Sequence, residues 1–325
     1  MCIRDSIRTA QEWAVTGIDN VPARLSPFSA RAVYTAGRTR DLQMTGHINY
    51  DGLLPGAVVT GLTTGGELNM TIEGDETALQ FAPQDDLPLT IAKVDTDTGW
   101  RAENLSARLL TQGPIYRRKK ESSDVTAKLG DLRFTAVDAP DTRHLDINFE
   151  SIDVMGRLAG LSQNWVFDGQ MANITSEDTP GPGTKINMPV MQMELWREPD
   201  AELKFTMHAP MANAKTQLVT ATNIAISAKG APDDFTLDYS PGDTQLGEVK
   251  FIGEALPPLP MTGIVHYKDS AFTGTAQTHL PFGEDTPIDV SYRFEDGAGT
   301  AQVDIPELIF TPNGLQPQSC QNPAR

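Results

Sequence analysis

The chain has 325 residues and carries 26 Lys and Arg against 43 Asp and Glu, which gives a formal charge of −17 at pH 7. This balance argues against nucleic-acid binding, because phosphate contacts need clustered cations. The hydrophobic content of 39% is lean for a compact globule of this size. We therefore expect an elongated protein with a high ratio of surface to core.

The first residues, Met1 to Ser6, read MCIRDS. This hexamer resembles translated sequencing-adapter DNA at the edge of an assembled read. We therefore interpret residues 1–6 as a non-native artefact and residues 7–317 as one elongated β-sheet region, an internal part of a longer protein. Residues 318–325 are interpreted as an irregular or truncated end. The sequence contains no run of about 18 apolar residues, which is the length that predicts a membrane-spanning helix.

A period of two dominates the rest of the chain. Alternation of apolar and polar residues places one set on each face of a β-strand and is typical of half-buried antiparallel sheet. The apolar members of the clearest runs, in chain order, are Leu42, Met44, Ile48, Tyr50, Leu68, Met70, Ile72, Leu145, Ile147, Phe149, Leu203, Phe205, Met207, Phe235, Leu237, Tyr239, Ile288, Val290, Tyr292, Phe294, Ala301, Val303 and Ile305. The predicted fold class is mainly β, with many short strands and few or no long helices.

Turn-forming residues separate these runs. Segments rich in Gly, Pro, Asn and Asp suit tight reversals, and a short helix over Leu105–Leu110 is the one helical alternative. The predicted reversals are Asp51-Gly52, Pro180-Gly181-Pro182-Gly183, Pro241-Gly242-Asp243, Asp296-Gly297 and Asn313-Gly314.

The sequence lacks the familiar catalytic and cofactor motifs. It contains no G-x-S-x-G elbow, no H-E-x-x-H pair, no phosphate loop and no dinucleotide fingerprint. We therefore predict no enzyme activity, no catalytic residues, no metal and no cofactor. The scattered histidines mostly occupy polar positions of the alternation, where solvent exposure is expected; they are His47, His144, His208, His266 and His279.

Four charged segments are interpreted as structural rather than functional. The segment Asp95 to Gly99 resembles the start of a calcium loop, but the twelfth position is Ser106 rather than Glu; we interpret it as a hairpin turn. The pairs Asp85-Asp86 and Asp233-Asp234 are interpreted as solvated turn acids. The basic run Arg117-Arg118-Lys119-Lys120 is interpreted as a solvated loop, partly neutralised by Glu121 and Asp124, with anionic lipid headgroups as the alternative partner.

The end of the chain resembles a known family. Residues 303–317 read VDIPELIFTPNGLQP, in which an apolar strand leads through a phenylalanine and a short turn to Leu-Gln-Pro. This segment resembles YdbH-like proteins, which are AsmA-like intermembrane phospholipid transport proteins with an older label of dicarboxylate transport. The motif residues are Phe310, Leu315, Gln316 and Pro317; after Pro317 the chain departs from the family pattern.

The resemblance implies a curved antiparallel sheet that forms a long hydrophobic groove. It also implies a periplasmic location in a Gram-negative cell envelope, with an inner-membrane anchor outside this sequence. The expected partners are phospholipid acyl chains, the inner and outer membranes and small envelope proteins. The candidate groove-lining residues are Met44, Ile48, Ile147, Phe149, Phe205, Met207, Leu237, Val290 and Tyr292.

Two other functions use the same strands. Alternation equally builds a β-sandwich or barrel with a closed core, which suits an envelope or secreted adhesion or assembly protein without lipid transport. A carbohydrate-active protein would need paired acids on one face and exposed aromatic platforms. The tryptophans are widely spread in the sequence, which disfavours that third function.

Overall fold

The computed structural model describes much of the chain and is all-β there. The described residues are 2–8, 13–16, 22–35, 39–54, 57–73, 76–81, 87–97, 99–110, 113–138, 144–159, 162–176, 183–216, 219–241, 248–251, 259–268, 271–279, 287–295, 298–304, 310–311 and 314–315. Before residue 57 only the backbone is described. The strands are β1 (Cys2–Arg8), β2 (Trp13–Thr16), β3 (Pro22–Thr35), β4 (Thr39–Leu54), β5 (Ala57–Glu73), β6 (Glu76–Phe81), β7 (Leu87–Thr96), β8 (Arg101–Leu110), β9 (Tyr116–Lys119), β10 (Ser122–Val137), β11 (His144–Ala159), β12 (Ser162–Ser176), β13 (Thr184–Arg197), β14 (Lys204–Lys215), β15 (Val219–Ala231), β16 (Asp234–Pro241), β17 (Glu248–Phe251), β18 (Leu259–Lys268), β19 (Ala271–His279), β20 (Pro287–Glu295), β21 (Ala298–Asp304), β22 (Phe310–Thr311) and β23 (Gly314–Leu315).

One antiparallel sheet contains 21 of these strands, and β22 pairs separately with β23. Most strands pair with their neighbours in the chain. Four long strands each carry two shorter strands end to end along one side. These sets are β1 and β2 on β3, β6 and β7 on β5, β8 and β9 on β10, and β16 and β17 on β15. No pairing among the described residues joins β21 back to β1 or β2, so this sheet is not closed. The prediction of a mainly β, antiparallel fold is confirmed.

Several predicted reversals fall between paired strands, at residues that lie wholly or partly outside the described ranges. Asp296-Gly297 connects Glu295 to Ala298, which pair directly, and the Pro180–Gly183 segment separates β12 from β13. Asn313-Gly314 lies at the reversal between β22 and β23. The hairpin predicted at residues 95–99 also forms, because the Thr96 amide donates to the Trp100 carbonyl at 2.9 Å.

Two predicted reversals are wrong. Asp51-Gly52 lies inside β4, where the pairing with β5 shifts register between Tyr50 and Gly52. This shift is a β-bulge, which inserts residues without reversing the chain. Pro241 ends β16, but β17 continues along the same side of β15 in the same direction. Gly and Pro here mark interruptions of a strand, so strands such as β5, with 17 residues, are longer than predicted.

The helical alternative at Leu105–Leu110 is excluded. These residues belong to β8, which pairs with β7 and β10. Ala107 and Leu109 are buried whereas Arg108 between them is exposed, which is the alternation of a strand. Pairing on both sides satisfies the backbone hydrogen bonds of this segment and outweighs its local helix propensity.

A line of backbone irregularities crosses the middle of the long strands. Asn104, Asp131, Met171 and Asn223 have φ values of 54°, 48°, 51° and 54°, and they lie in β8, β10, β12 and β15. Such irregularities switch which residues face each side and bend the strand. The apolar side chains consequently stay on one face along the whole strand: Leu129 before the irregularity of β10 and Leu132 after it belong to the same hydrophobic cluster.

The structure describes part of the two chain ends that were predicted to be non-native or irregular. β1 contains most of the segment interpreted as non-native, and its backbone pairs with β3 from Cys2 opposite Thr35 to Arg8 opposite Ser29. Residues 318–325 lie outside the described residues.

Candidate functional site

One face of the sheet, here called the apolar face, carries the candidate lining residues. Directly opposed residues of antiparallel strands point to the same face, so the register identifies its members. A central row runs through Val154, Phe167, Met193, Met207, Ala228, Leu237, Val265, Gly274 and Tyr292, each paired with the next. It crosses the sheet from β11 to β20, which at about 4.8 Å per strand is roughly 40 Å.

The other described candidates lie on the same face. Phe149 and Ile147 belong to the cluster that includes Met207 and Leu237. Phe205 lies two residues before Met207 in β14, and Val290 lies two residues before Tyr292 in β20. The register thus brings together the seven candidates whose side chains are described.

The remaining candidates from the sequence lie wholly or partly outside the described residues. Met44 and Ile48 lie in β4, but their side chains are outside the described residues. Phe310 and Leu315 of the family motif pair with each other in the small sheet. Gln316 and Pro317 lie outside the described residues.

Burial of the apolar face is incomplete. Its well-buried large side chains include Met188, 2% exposed, and Phe149, 7% exposed, both beside the line of irregularities. Phe205, Met207 and Leu237 are only partly buried. In a closed core of this size, large apolar side chains on the inner face are mostly excluded from solvent. The apolar face is therefore partly accessible to solvent.

Glycines lie opposite several aromatic residues on this face. A Cβ added to Gly156 would lie 2.3 Å from the Trp165 ring, and one added to Gly274 would lie 2.5 Å from the Tyr292 ring. Each aromatic residue is the direct cross-strand partner of its glycine. Each ring therefore lies over the neighbouring strand. Glycine inside a strand often marks such a close approach, and this signal was not used in the sequence analysis.

A second row of aromatic residues flanks the central row, towards the strand ends at the β11–β12 and β13–β14 turns. The Phe205 and Phe235 ring centroids are 5.6 Å apart, those of Phe235 and Tyr267 are 4.9 Å apart, and those of Tyr267 and Phe272 are 4.8 Å apart. Aromatic pairs at such spacings stabilise neighbouring strands beyond their buried area. The apolar face is thus aliphatic and Met-rich near its centre and aromatic along one margin.

Two phenols place polar groups on the apolar face. Tyr239 and Tyr292 hydrogen-bond to each other through their side chains. Burial raises the pKa of both phenols above the ordinary tyrosine value, and proximity to Tyr239 raises the pKa of Tyr292 further. Both groups are neutral at physiological pH and can donate or accept a hydrogen bond.

The opposite face, here called the polar face, is built from hydrogen-bonded side chains. Asn173 donates to Asn148 Oδ1 at 3.2 Å, and Asn187 donates to Asn173 Oδ1 at 2.9 Å. His208 bonds Ser227 and His266 bonds Thr236 across neighbouring strands. The solvent exposure predicted for the histidines is confirmed at positions 144, 208 and 266; the side chains of His47 and His279 are outside the described residues.

Of the two predicted pairs of turn acids, the structure describes Asp233-Asp234. Asp234 accepts a hydrogen bond from Lys268 at 2.7 Å, and this bond holds the pKa of the carboxyl below its usual range. Asp233 is exposed in the adjacent turn, whereas Asp85 and Asp86 lie outside the described residues. No cluster of three or more His, Cys, Asp or Glu side chains suited to a metal ion occurs among the residues that the structure describes.

An ion pair joins distant parts of the sheet. Arg197, at the end of β13, donates two hydrogen bonds to the Asp97 carboxylate at 2.7 and 2.9 Å. The hydrogen bond to Asp97 raises the pKa of the guanidinium. Asp97 lies in the β7–β8 turn. Register places this turn at the same strand ends as the β12–β13 turn, where β13 begins. Arg197 lies at the other end of β13.

The comparisons with known proteins are negative. No family model matches the chain, and neither a curated protein nor a solved structure matches it. No helix in the described ranges is long and apolar enough to cross a membrane.

Proposed function

We propose that the apolar face binds phospholipid acyl chains along a groove, and that the chain is a non-enzymatic segment of a periplasmic bridge-like protein that carries phospholipids between the inner and outer membranes. The observation that carries the proposal is a continuous apolar face that remains partly exposed, backed by a polar face. The resemblance of residues 303–317 to YdbH-like proteins agrees with this function and supplies the location.

The energetics of lipid transfer favour such a surface. Exposing an acyl chain to water costs about 0.8 kcal/mol per methylene, so a sixteen-carbon chain costs roughly 12 kcal/mol. A continuous apolar row removes that cost along the whole path, because successive positions are equivalent. The central row provides one such position on each of nine neighbouring strands, and none of these nine residues is charged.

The contact between Asp97 and Arg197 supports a bent sheet. On a flat sheet, the length of β13 alone would separate these residues by on the order of 40 Å, yet their side chains are 2.7 Å apart. The strands between them must bend, and bulges are a usual cause of such bending. Bending along the line of irregularities brings the two margins of the apolar face towards each other, which is the geometry of a groove.

The glycine–aromatic pairs favour an open groove rather than a closed core. A ring that lies over the neighbouring strand projects little from the sheet, whereas closely packed cores depend on side chains that interdigitate between layers. Trp165 and Tyr292 adopt the first arrangement. The alternative function, an adhesion or assembly protein with a closed core, requires a second layer that covers Phe205, Met207 and Leu237.

Co-purified lipid tests the proposal directly. Native mass spectrometry of the gently purified protein is expected to show bound phospholipid. Phe205→Asp, on the apolar face, should abolish binding. Thr206→Asp introduces the same charge at the adjacent, exposed position of the polar face and should leave binding intact. Circular dichroism of both variants controls for folding. A folded, lipid-free wild type, under conditions that preserve lipid in a known carrier, would favour the closed core.

A further inference from the structure

The basic run forms a strand and turn at the margin of the sheet, rather than the predicted loop. Arg117, Arg118 and Lys119 belong to β9, Lys120 lies in the turn to β10, and all four side chains are exposed. This margin is the one at which the β11–β12 turn lies, because Arg118 is aligned with Leu158 through Ser123. The run therefore lies at the same strand ends as the aromatic row, with β10 to β13 between them.

Register divides the three cations of β9 between the two faces. Arg118 is directly opposite Thr77 on one side and Ser123 on the other. Ser123 is two residues from Val125 and four from Ala127, which packs in an apolar cluster with Leu129. Because side chains alternate along a strand, Arg118 points to the apolar face. Arg117 and Lys119 point to the polar face.

The two faces give these cations different surroundings. On the polar face Arg117 is opposite Asp124, and Lys119 lies 3.8 Å from Glu76. Both cations are thus near a carboxylate of a neighbouring strand. On the apolar face, the direct cross-strand neighbours of Arg118 are hydroxyl residues rather than acids. Ser123 also exchanges a 3.0 Å hydrogen bond with the Tyr116 hydroxyl.

We infer that Arg118, with the hydroxyls of Thr77 and Ser123, binds the phosphate of a phospholipid whose acyl chains lie on the apolar face. This inference rests on the proposed function and assigns its headgroup site. A guanidinium presents a planar set of donors that suits two phosphate oxygens at once. Hydroxyls on the flanking strands, with Cβ atoms about 5 Å from that of Arg118, can donate to the remaining oxygen.

The position next to Val125 gives this site its lipid selectivity. A phosphate held at the margin leaves the attached chains directed over apolar side chains, so both parts of the lipid are satisfied together. On the polar face, Arg117 and Lys119 each lie near a carboxylate, which can pair with the cation in place of a phosphate. Arg118 is therefore the cation of β9 whose removal affects lipid binding.

A competition between two lipids tests the assignment. The full chain is incubated with equimolar phosphatidylglycerol and diacylglycerol with identical acyl chains, and bound species are counted by native mass spectrometry. The wild type is expected to prefer phosphatidylglycerol. Arg118→Gln should reduce that preference on the order of tenfold, the usual scale for a charged hydrogen bond, while diacylglycerol still binds. Arg117→Gln, its matched control on the polar face, should keep the preference.

Each other outcome contradicts part of this account. If both variants keep the preference, or lose it equally, the phosphate is bound elsewhere and the inference is wrong although lipid binding stands. If glycerol phosphate without acyl chains competes as well as the phospholipid, the site takes free phosphate and the lipid assignment is wrong. If neither lipid binds the wild type, the proposed function itself is wrong.

Discussion

Two methionines on one strand offer a direct measurement of how open the apolar face is. Met188 and Met193 both lie in β13 and both point to the apolar face. Met188 is 2% exposed beside the line of irregularities, whereas Met193 is partly exposed in the central row. Replacing each by alanine makes the same chemical change on the same strand.

The expected losses of unfolding free energy differ because only Met188 is enclosed by other side chains. Truncation of a buried methionine to alanine removes transfer free energy and leaves a cavity, which together cost about 2–5 kcal/mol. We expect about 3 kcal/mol for Met188→Ala. At Met193 solvent already reaches the side chain, so less apolar area is lost and no sealed cavity forms. We expect about 1 kcal/mol for Met193→Ala.

Urea unfolding followed by tryptophan fluorescence measures both costs. Trp165 and Trp196 lie in β12 and β13, so their emission reports on the strands that carry the two methionines. The denaturant dependence of the unfolding free energy should stay unchanged, since that slope follows the surface exposed on unfolding. Added phospholipid should stabilise the wild type by mass action, and Met193→Ala should weaken this effect more than Met188→Ala.

Equal costs would refute the reasoning. If both substitutions lower the unfolding free energy by about 3 kcal/mol in lipid-free protein, Met193 is as enclosed as Met188. The apolar face would then be the core of a closed structure, and the adhesion or assembly function would gain support.

Four further predictions test other features. Gly156→Val should lower the unfolding free energy by about 1–3 kcal/mol in urea titrations, because the added side chain collides with the cross-strand indole; Gly156→Ala, which adds only the colliding Cβ, should cost less. Asn173→Ala should cost about 1–2 kcal/mol in the same assay, because three hydrogen bonds of the amide are lost. Burial raises the pKa of Tyr292 in the folded protein, so stability should fall as the pH rises above about 10, where the unfolded phenol ionises; thermal melts of Tyr292→Phe should show a smaller fall. Spin labels at Asp95→Cys and Glu198→Cys, in a background with both native cysteines replaced, should lie about 20 Å apart by pulsed electron resonance, whereas about 45 Å would indicate a flat sheet.

The sequence by itself determined the fold class and which residues of one regular stretch of strand share a face. Alternation is a local property, since neighbouring side chains in a regular stretch of strand point to opposite sides. Phe205 and Met207 could therefore be assigned to one face without any knowledge of their neighbours. The same locality identified the hairpin turn before Trp100 from the residues of the turn itself.

Only the tertiary structure decided how the strands align and where they bend. Asp51-Gly52 has the composition of a turn, but pairing with β5 makes it a bulge, since hydrogen bonds from a neighbouring strand outweigh local preference. The different roles of Arg117 and Arg118, and the match of Gly156 to Trp165, depend on register between strands. Register couples residues far apart in the chain, and a shift of one residue would exchange the two faces. A pattern read along the chain does not contain that information.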